Sequence, residues 1–320
     1  MSKIGQRERE TQTRVVKLFR ERLGYDYLGN WQDDPRNSNI EESLLLRFLT
    51  ETQGLPPALA TRALQEFTRK AGDQAASLYD VNKTVYVLLR YGVQGVLDDD
   101  TGERRTVHLI DWKHPDRNHF SIAEEVSIFA ADAKSYGKRP DVVLYVNGIA
   151  LGVLELKRST VSVSEGIRQN LDNQTKLFIR PFFTTMQLVM AGNDTEGLRY
   201  GTIETPEKYY LSWKEEDPAY DLANDPREKK YLPQAPIADG ETPLDCALAR
   251  MCRKERLLEL IHDYVVFDAG VKKLPRHNQY FGVRAAQKRI AAREDGIIWH
   301  TQGSGKSLTM VWLAKWIREN

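Results

Sequence analysis

The chain has 320 residues, 41% hydrophobic and 28% charged, enough for one large domain or a domain and a half with a core of its own. No apolar run approaches the roughly 18 residues of a membrane span, and "MSKIGQRERETQTR" lacks the apolar centre of a signal peptide, so a cytoplasmic setting with no membrane partner is expected. The formal net charge of +1 argues against a free-standing, indiscriminate nucleic-acid binder, while leaving room for a local basic groove or for DNA delivered by a partner.

Residues 10–23 put Val15, Val16, Leu18, Phe19 and Leu23 on one stripe, which predicts an amphipathic helix ended by Gly24. The loop "DDPRNSN" leads to a second helix, "IEESLLLRFLTET", behind an Asn39 or Ser38 cap. A third, "PALATRALQEFTRKAG", is opened by prolines and closed by Gly72. The texture then changes. "KTVYVLLRYGV", "TVHLIDW", "DVVLYVNGIALGVLELK", "TTMQLVMAG" and "LRYGTIE" are β-branched and aromatic runs broken by turn residues, and they read as strands. Between two of them, "SVSEGIRQNLDNQTKLF" predicts a helix with a capping box of Ser162 and Glu165. Residues 1–213 thus read as an α/β domain, helices followed by a mixed sheet crossed by one helix.

Residues 214–243 hold five of the thirteen prolines and many charges, as a linker or surface excursion would. "LDCALARMCRKERLLELIHDYVVF" predicts a helix that begins a second unit, 244–320. Its two cysteines, Cys246 and Cys252, fall on different helix faces, so neither a disulfide nor a metal site is expected of them.

The first chemical constellation is "RPDVVLYVNGIALGVLELKRS". Asp141 is followed, after thirteen intervening residues, by Glu155 and Lys157. On a strand, Glu155 and Lys157 share one face and Leu154 and Leu156 the other. Carboxylates hold a hard cation such as Mg²⁺, the cation polarises a scissile phosphate and activates water, and a lysine orients that water or meets developing charge. Asn147-Gly148 is a hairpin signal. A two-residue turn there sets Asp141 opposite Leu154 and leaves Glu155 on the wrong face, so a shared metal requires an odd-length turn or an equivalent bulge. Gln169, twelve residues past Lys157, lies where a helix could return its amide to the site. Glu8 and Glu10 are both candidates for a further acidic ligand, and Asp111 reads as a turn or strand-end residue.

The second constellation is "HTQGSGKS", between the apolar "GIIWH", expected as a strand, and the amphipathic "LTMVWLAKWIRE". Strand, glycine loop and helix make a phosphate-binding loop. Gly303, Ser304 and Gly305 would curl backbone N–H groups around phosphate oxygens at the helix N-terminus. Lys306 would reach the β and γ phosphates of ATP, and Ser307 would ligate its Mg²⁺. His300 stands where the strict pattern has glycine. Of two upstream glutamines, Gln279 beside Tyr280 is the candidate adenine reader, and Gln287 reads as helix surface.

Together, "RPDVVLYVNGIALGVLELKRS", "SEGIRQN", "LVMAGN" and "IIWHTQGSGKSLTM" resemble the restriction (R) subunit of type I restriction-modification enzymes, from the first helix to the last residue. The resemblance implies a PD-(D/E)xK endonuclease domain, a mixed sheet flanked by helices, followed by the first strand, loop and helix of a RecA-like motor of superfamily 2. It implies Mg²⁺-dependent hydrolysis of duplex DNA coupled to ATP-driven translocation, and assembly with methylation and specificity subunits that choose the site. Asp141 and Glu155 would be metal ligands, Lys157 the catalytic lysine and Gln169 the first residue of a Q-x-x-x-Y motif, whose tyrosine is Asn173 here. The motor is expected to be a stub of a much longer subunit, unable to hydrolyse ATP as it stands. Two rival readings are another helicase–nuclease of DNA repair and a catalytically degenerate docking module of a motor complex.

Overall fold

The computed structural model describes residues 3–34, 37–129, 136–215 and 242–319. The first expected helix forms as α1 (Lys3–Lys17) and continues as a π-helical turn through Arg22 that carries Phe19 into the core. The second does the same, α2 (Glu42–Arg47) passing into a π-helical turn over Phe48–Thr52. Its N-cap is Glu41, not Asn39 or Ser38. Ile40 bridges to Ile149 at the sheet, so the residues before it serve a strand edge. α3 (Pro57–Ala71) starts behind Pro56 and stops at Gly72, as its prolines and glycine predict.

The strand expected in "KTVYVLLRYGV" is instead α4 (Leu78–Tyr91). From Leu78 onward the buried apolar positions are Leu78, Val81, Val85, Tyr86 and Leu89, which is helical spacing, and Ser77 caps the first turn by accepting the Asp80 N–H. A window opened at Lys83 shows only the β-branched residues. Burial of one helical face outweighs the small helix penalty of valine.

The six-stranded sheet has the order β1 (Asp26–Asn30), β4 (Phe120–Glu124), β5 (Val142–Val146), β6 (Ile149–Leu156), β7 (Leu188–Asn193), β8 (Gly197–Gly201). The β1–β4 and β6–β7 pairs are parallel and the others antiparallel. β1 and β4 are not among the expected strands. A separate hairpin joins β2 (Val93–Leu97) to β3 (Arg104–Val107). Every residue of β5 and β6 is buried, because both sheet faces are covered. On one face Val142, Leu144, Leu154 and Leu156 share a cluster with Phe19, Leu45 and Phe67. On the other, Val143, Tyr145 and Val153 share a cluster with Phe182, Phe183 and Met186. There α5 (Val163–Asn173) also packs Val163 and Ile167 with Ala191. Ser162 caps α5 through the Ser164 N–H, and the expected capping box with Glu165 does not form; Glu196, from the β7–β8 turn, instead accepts the N–H of Val163 in the first turn at 3.0 Å.

Of the expected linker, residues 216–241 lie outside the described residues. The helix expected after it is two, α6 (Pro243–Met251) and α7 (Lys254–Tyr264), broken at Cys252–Arg253. Neither stands apart from the sheet domain. Leu244, Leu248, Met251 and Leu257 join the cluster that holds Val15, Phe19 and Tyr25. The Tyr25 hydroxyl donates to the Cys252 carbonyl at 2.8 Å, and Arg14 pairs with Asp194 and Asp245. Among the described residues neither cysteine is in a disulfide, and burial pushes Cys252 up to about 12.

A short hairpin, β9 (Val266–Asp268) and β10 (Val271–Lys273), leads to α8 (His277–Ala292) and α9 (Lys306–Glu319). "GIIWH" does not form the expected strand, and Ile297 and Trp299 are 91% and 88% exposed. A strand needs a neighbour for its N–H and C=O groups, and among the described residues none pairs with this segment. Among the described residues no helix is long and apolar enough to cross a membrane.

Candidate active site

The site begins with a turn. Asn147 and Gly148 adopt left-handed backbone, φ +51° and +80°, and join Val146 to Ile149 as a two-residue hairpin. Glycine is required at the second position, since a Cβ there would lie 2.6 Å from the Glu41 carbonyl oxygen. Left alone, this turn would set Asp141 opposite Leu154. β6 corrects it with a bulge. Tyr145 pairs with Ala150, but Leu144 pairs with Gly152, so Leu151 is an extra residue. Beyond it Val142 pairs with Leu154, and one step further Asp141 comes opposite Glu155. Of the two alternatives, the protein uses the bulge. Backbone groups at the bulge find partners outside the hairpin: Ala150 N–H donates to Asn39 O at 2.9 Å, Thr185 Oγ1 donates to Ala150 O at 2.7 Å, and Gln187 N–H donates to Leu151 O at 2.8 Å.

Glu155 lies fully buried beneath α5. The helix approaches closely because Gly166 has no side chain; a Cβ there would be 3.1 Å from Ala191 Cβ and 3.6 Å from Glu155 Cβ. Almost one turn on, Gln169 spans the site. Its Nε2 donates to Glu155 Oε2 at 2.8 Å, and its Oε1 accepts from Lys157 Nζ at 2.8 Å. Lys157 also sits 3.9 Å from Glu8 Oε1. Of the two acidic candidates on α1, Glu8 therefore reaches the site, and Glu10 is exposed. Asp141 Oδ2 accepts the Leu156 N–H at 2.6 Å. Asp111 stays in a turn, accepting the His114 N–H at 3.0 Å. Asn173, where the resemblance implies tyrosine, is buried at the end of α5, and neither amide atom has a hydrogen-bond partner among the described residues.

Burial raises Asp141 to about 6, against the Leu156 N–H and the Lys157 charge, with Glu125 adding to the rise. Burial raises Glu155 well above the usual carboxylate range, and the facing Asp141 charge raises it further. Two buried carboxyls facing one another favour holding a proton unless a cation replaces it. Among the described residues Glu155 Oε1 is buried and meets no donor; its neighbour is the Asp141 carboxyl, with which it can share a proton. An acceptor without a donor, beside a second carboxylate, fits a hard cation. Among the described residues no group of three or more His, Cys, Asp or Glu side chains is placed to hold a metal. Mg²⁺, which keeps several waters and takes one or two carboxylates, suits a pair. Glu125 carries no motif and escaped sequence reasoning; its N–H donates to Asp141 O at 2.9 Å and Arg139 pairs with it at 2.6 Å.

The phosphate-loop residues also come together, around α8. Gly303 and Gly305 have φ +78° and +84°, and α9 begins at Lys306. Gln279 is buried and donates Nε2 to Ser304 O at 3.2 Å and to Gly305 O at 3.0 Å, while its Oε1 accepts the Arg276 N–H at 2.8 Å. Lys306 Nζ donates to the carbonyls of His300 at 3.1 Å and Thr301 at 3.2 Å, and Ser307 is exposed. Gln287, expected on the helix surface, is buried, because its side of α8 faces the helical layer.

Residues 5–208 match the family described as the type I restriction enzyme R protein N terminus, and residues 278–320 match the SWI2/SNF2 ATPase family. The chain is 25% identical to a putative type I restriction enzyme endonuclease subunit, MjaIXP, of Methanocaldococcus jannaschii, over 92% of this chain and 30% of the relative. It is 29% identical to the HindI type I restriction enzyme endonuclease subunit of Haemophilus influenzae, over 81% of this chain and 24% of the relative. A similar subunit, SsaAORF53P of Staphylococcus saprophyticus, is 25% identical over 63% of this chain and 20% of the relative. The chain thus spans under a third of the length of these curated relatives.

Proposed function

Because this chain belongs to the family of type I restriction enzyme R protein N termini, we propose that Asp141, Glu155, Lys157 and Gln169 form the hydrolytic site of a restriction endonuclease subunit, of the PD-(D/E)xK class, acting on duplex DNA. The observation that carries this reading is the bulge at Leu151, which turns Glu155 toward Asp141 and leaves Glu155 Oε1 buried, with no donor among the described residues. Asp141 and Glu155 would hold Mg²⁺. When bound, the ion supplies positive charge beside a phosphodiester and lowers the pKa of water. Lys157 places an ammonium on the same strand face as Glu155, where it can orient an attacking water and meet charge developing on phosphate. Gln169 locks the two together: its amide has one orientation that donates to Glu155 and accepts from Lys157. Burial under α5 keeps bulk water from the carboxylates.

In this reading residues 278–319 open the ATP-driven translocase of the intact subunit. Gly303, Ser304, Gly305, Lys306 and Ser307 would take the phosphates and Mg²⁺ of ATP, and Gln279, already against the loop, would read adenine. The names of the relatives support work within a restriction complex on DNA, in which methylation and specificity subunits would choose the site. The test is Mg²⁺-dependent cleavage of plasmid DNA by the assembled complex, wild type against Lys157→Ala. Loss of cleavage with ATP consumption retained is expected; unchanged cleavage removes Lys157 from the chemistry.

A further inference from the structure

The bulge that faces Glu155 toward Asp141 is held from outside its own hairpin. Thr185 and Gln187, which take the Ala150 and Leu151 carbonyls, lie in the loop that delivers β7. Into that loop reaches Lys272 of β10. Its Nζ donates to Gln187 Oε1 at 2.7 Å, to Asn82 Oδ1 at 2.8 Å and to Met186 O at 3.2 Å. Lys272, Asn82 and Gln187 are all buried, and these partners include no carboxylate. Burial lowers Lys272 well below the usual lysine range, and the three acceptors, which match the three protons of an ammonium, oppose that shift. A lysine buried this way, without a counter-charge, is costly for packing alone.

The clasp is continuous with the bulge. Asn82 Nδ2 donates to the carbonyls of Thr184 at 2.9 Å and Met186 at 2.8 Å, so the loop is gripped from α4 as well. Gln187 connects the two ends: its side chain accepts from Lys272 and donates to Thr185 O at 2.8 Å, and its backbone N–H holds Leu151.

We propose that Lys272 is a positioning residue of the nuclease site: it fixes the 185–187 loop that pins the Leu151 bulge, and so fixes the face on which Glu155 meets Asp141. Lys272 touches neither carboxylate. The clasp comes from the part of the chain that carries the phosphate loop, so the metal-binding geometry depends on that part being seated. The inference rests on the reading of Asp141 and Glu155 as a Mg²⁺-holding pair.

The experiment is thermal unfolding of this chain against increasing Mg²⁺ alone. The proteins are wild type, Glu155→Gln, Lys272→Met, Thr185→Val and, as a control for destabilisation in the same region, Leu274→Ala. The wild-type Tm rises with Mg²⁺ and that of Glu155→Gln does not. Lys272→Met and Thr185→Val need about 10–100-fold more Mg²⁺ for the same rise, the usual cost of disturbing groups behind a metal ligand. Leu274→Ala lowers the Tm with its Mg²⁺ dependence intact. Thr185→Val removes one bond to the bulge and leaves the lysine in place, so it decides the matter if Lys272→Met does not fold. A wild-type Mg²⁺ midpoint in Thr185→Val, or in a folded Lys272→Met, overturns the inference and leaves the metal reading standing. A wild type that ignores Mg²⁺, or a Glu155→Gln that responds like it, removes the metal reading and the inference with it.

Discussion

Gln169 joins Lys157 to Glu155 through a single amide, accepting from one and donating to the other at 2.8 Å each. Neither half of that amide can be exchanged without loss. Gln169→Glu places a third carboxylate beside Glu155, and Gln169→Ala frees Lys157 to turn away. Both variants are expected to lower the rate of DNA cleavage by the assembled complex by about 10–100-fold, as for other groups that orient metal ligands. Initial rates on plasmid DNA check this, with DNA binding measured in parallel and expected unchanged. Full activity in both would show that the amide is incidental.

Asp141→Asn keeps an acceptor for the Leu156 N–H and removes a buried charge. The Asp141 carboxyl is raised from 3.8 to about 6 in the folded chain. Its protonated form favours folding, so that stabilisation is complete below about pH 4 and is lost as pH rises through about 6. Without metal, Asp141→Asn should therefore be more stable than wild type near pH 8, by up to about 3 kcal/mol, with the difference vanishing near pH 4. Calorimetry in chelator at the two pH values is the measurement. A gap that does not change with pH would mean that the charge is not the cause.

Gly166→Ala puts a methyl 3.1 Å from Ala191 Cβ and 3.5 Å from Lys157 Cγ. α5 must back away by a few tenths of an ångström, at a cost of about 1–3 kcal/mol, as for other overpacked cores. Urea unfolding should show that loss, and cleavage should fall too, because Gln169 rides on the same helix. Stability at the wild-type level would mean that the helix shifts freely.

Gln279→Ala removes the donor to the carbonyls of Ser304 and Gly305. Backbone amides of the 301–305 loop should then exchange with deuterium several-fold faster, at unchanged exchange in α5. Unaltered loop exchange would assign the loop's order to Lys306 and the helix alone.

Much of the site was legible because strand periodicity is strict. Asn147-Gly148 announced a hairpin, and the parity of Asp141 and Glu155 then demanded either an odd-length turn or a bulge between them. Which residue is extra is a tertiary matter: Asn39, Thr185 and Gln187 are remote in sequence and supply the bonds that make Leu151 the place. α4 was misread because its β-branched half was taken without Ser77 and Leu78, where the cap and the helical spacing begin. β1 escaped because Asp26 and Asn30 are exposed and Gly29 interrupts a five-residue edge strand. Lys272 offered no signal, since a lysine on a short hairpin ordinarily faces water, and only the packed structure reveals the three oxygens around it. "GIIWH" has the composition of a strand, and among the described residues no neighbour pairs with it.

The hydrophobic cluster that runs from Val15 through Leu244 to Trp312 has a consequence for handling the protein. A backbone cut engineered anywhere in 216–241 would sever the covalent link while leaving Tyr25 on Cys252, Arg14 on Asp245 and Lys272 in its cage. The two halves would still migrate as one particle, and each expressed alone would expose the apolar surface that it normally shares. For this chain the packed interface is a second connection between its ends, beside the peptide chain itself.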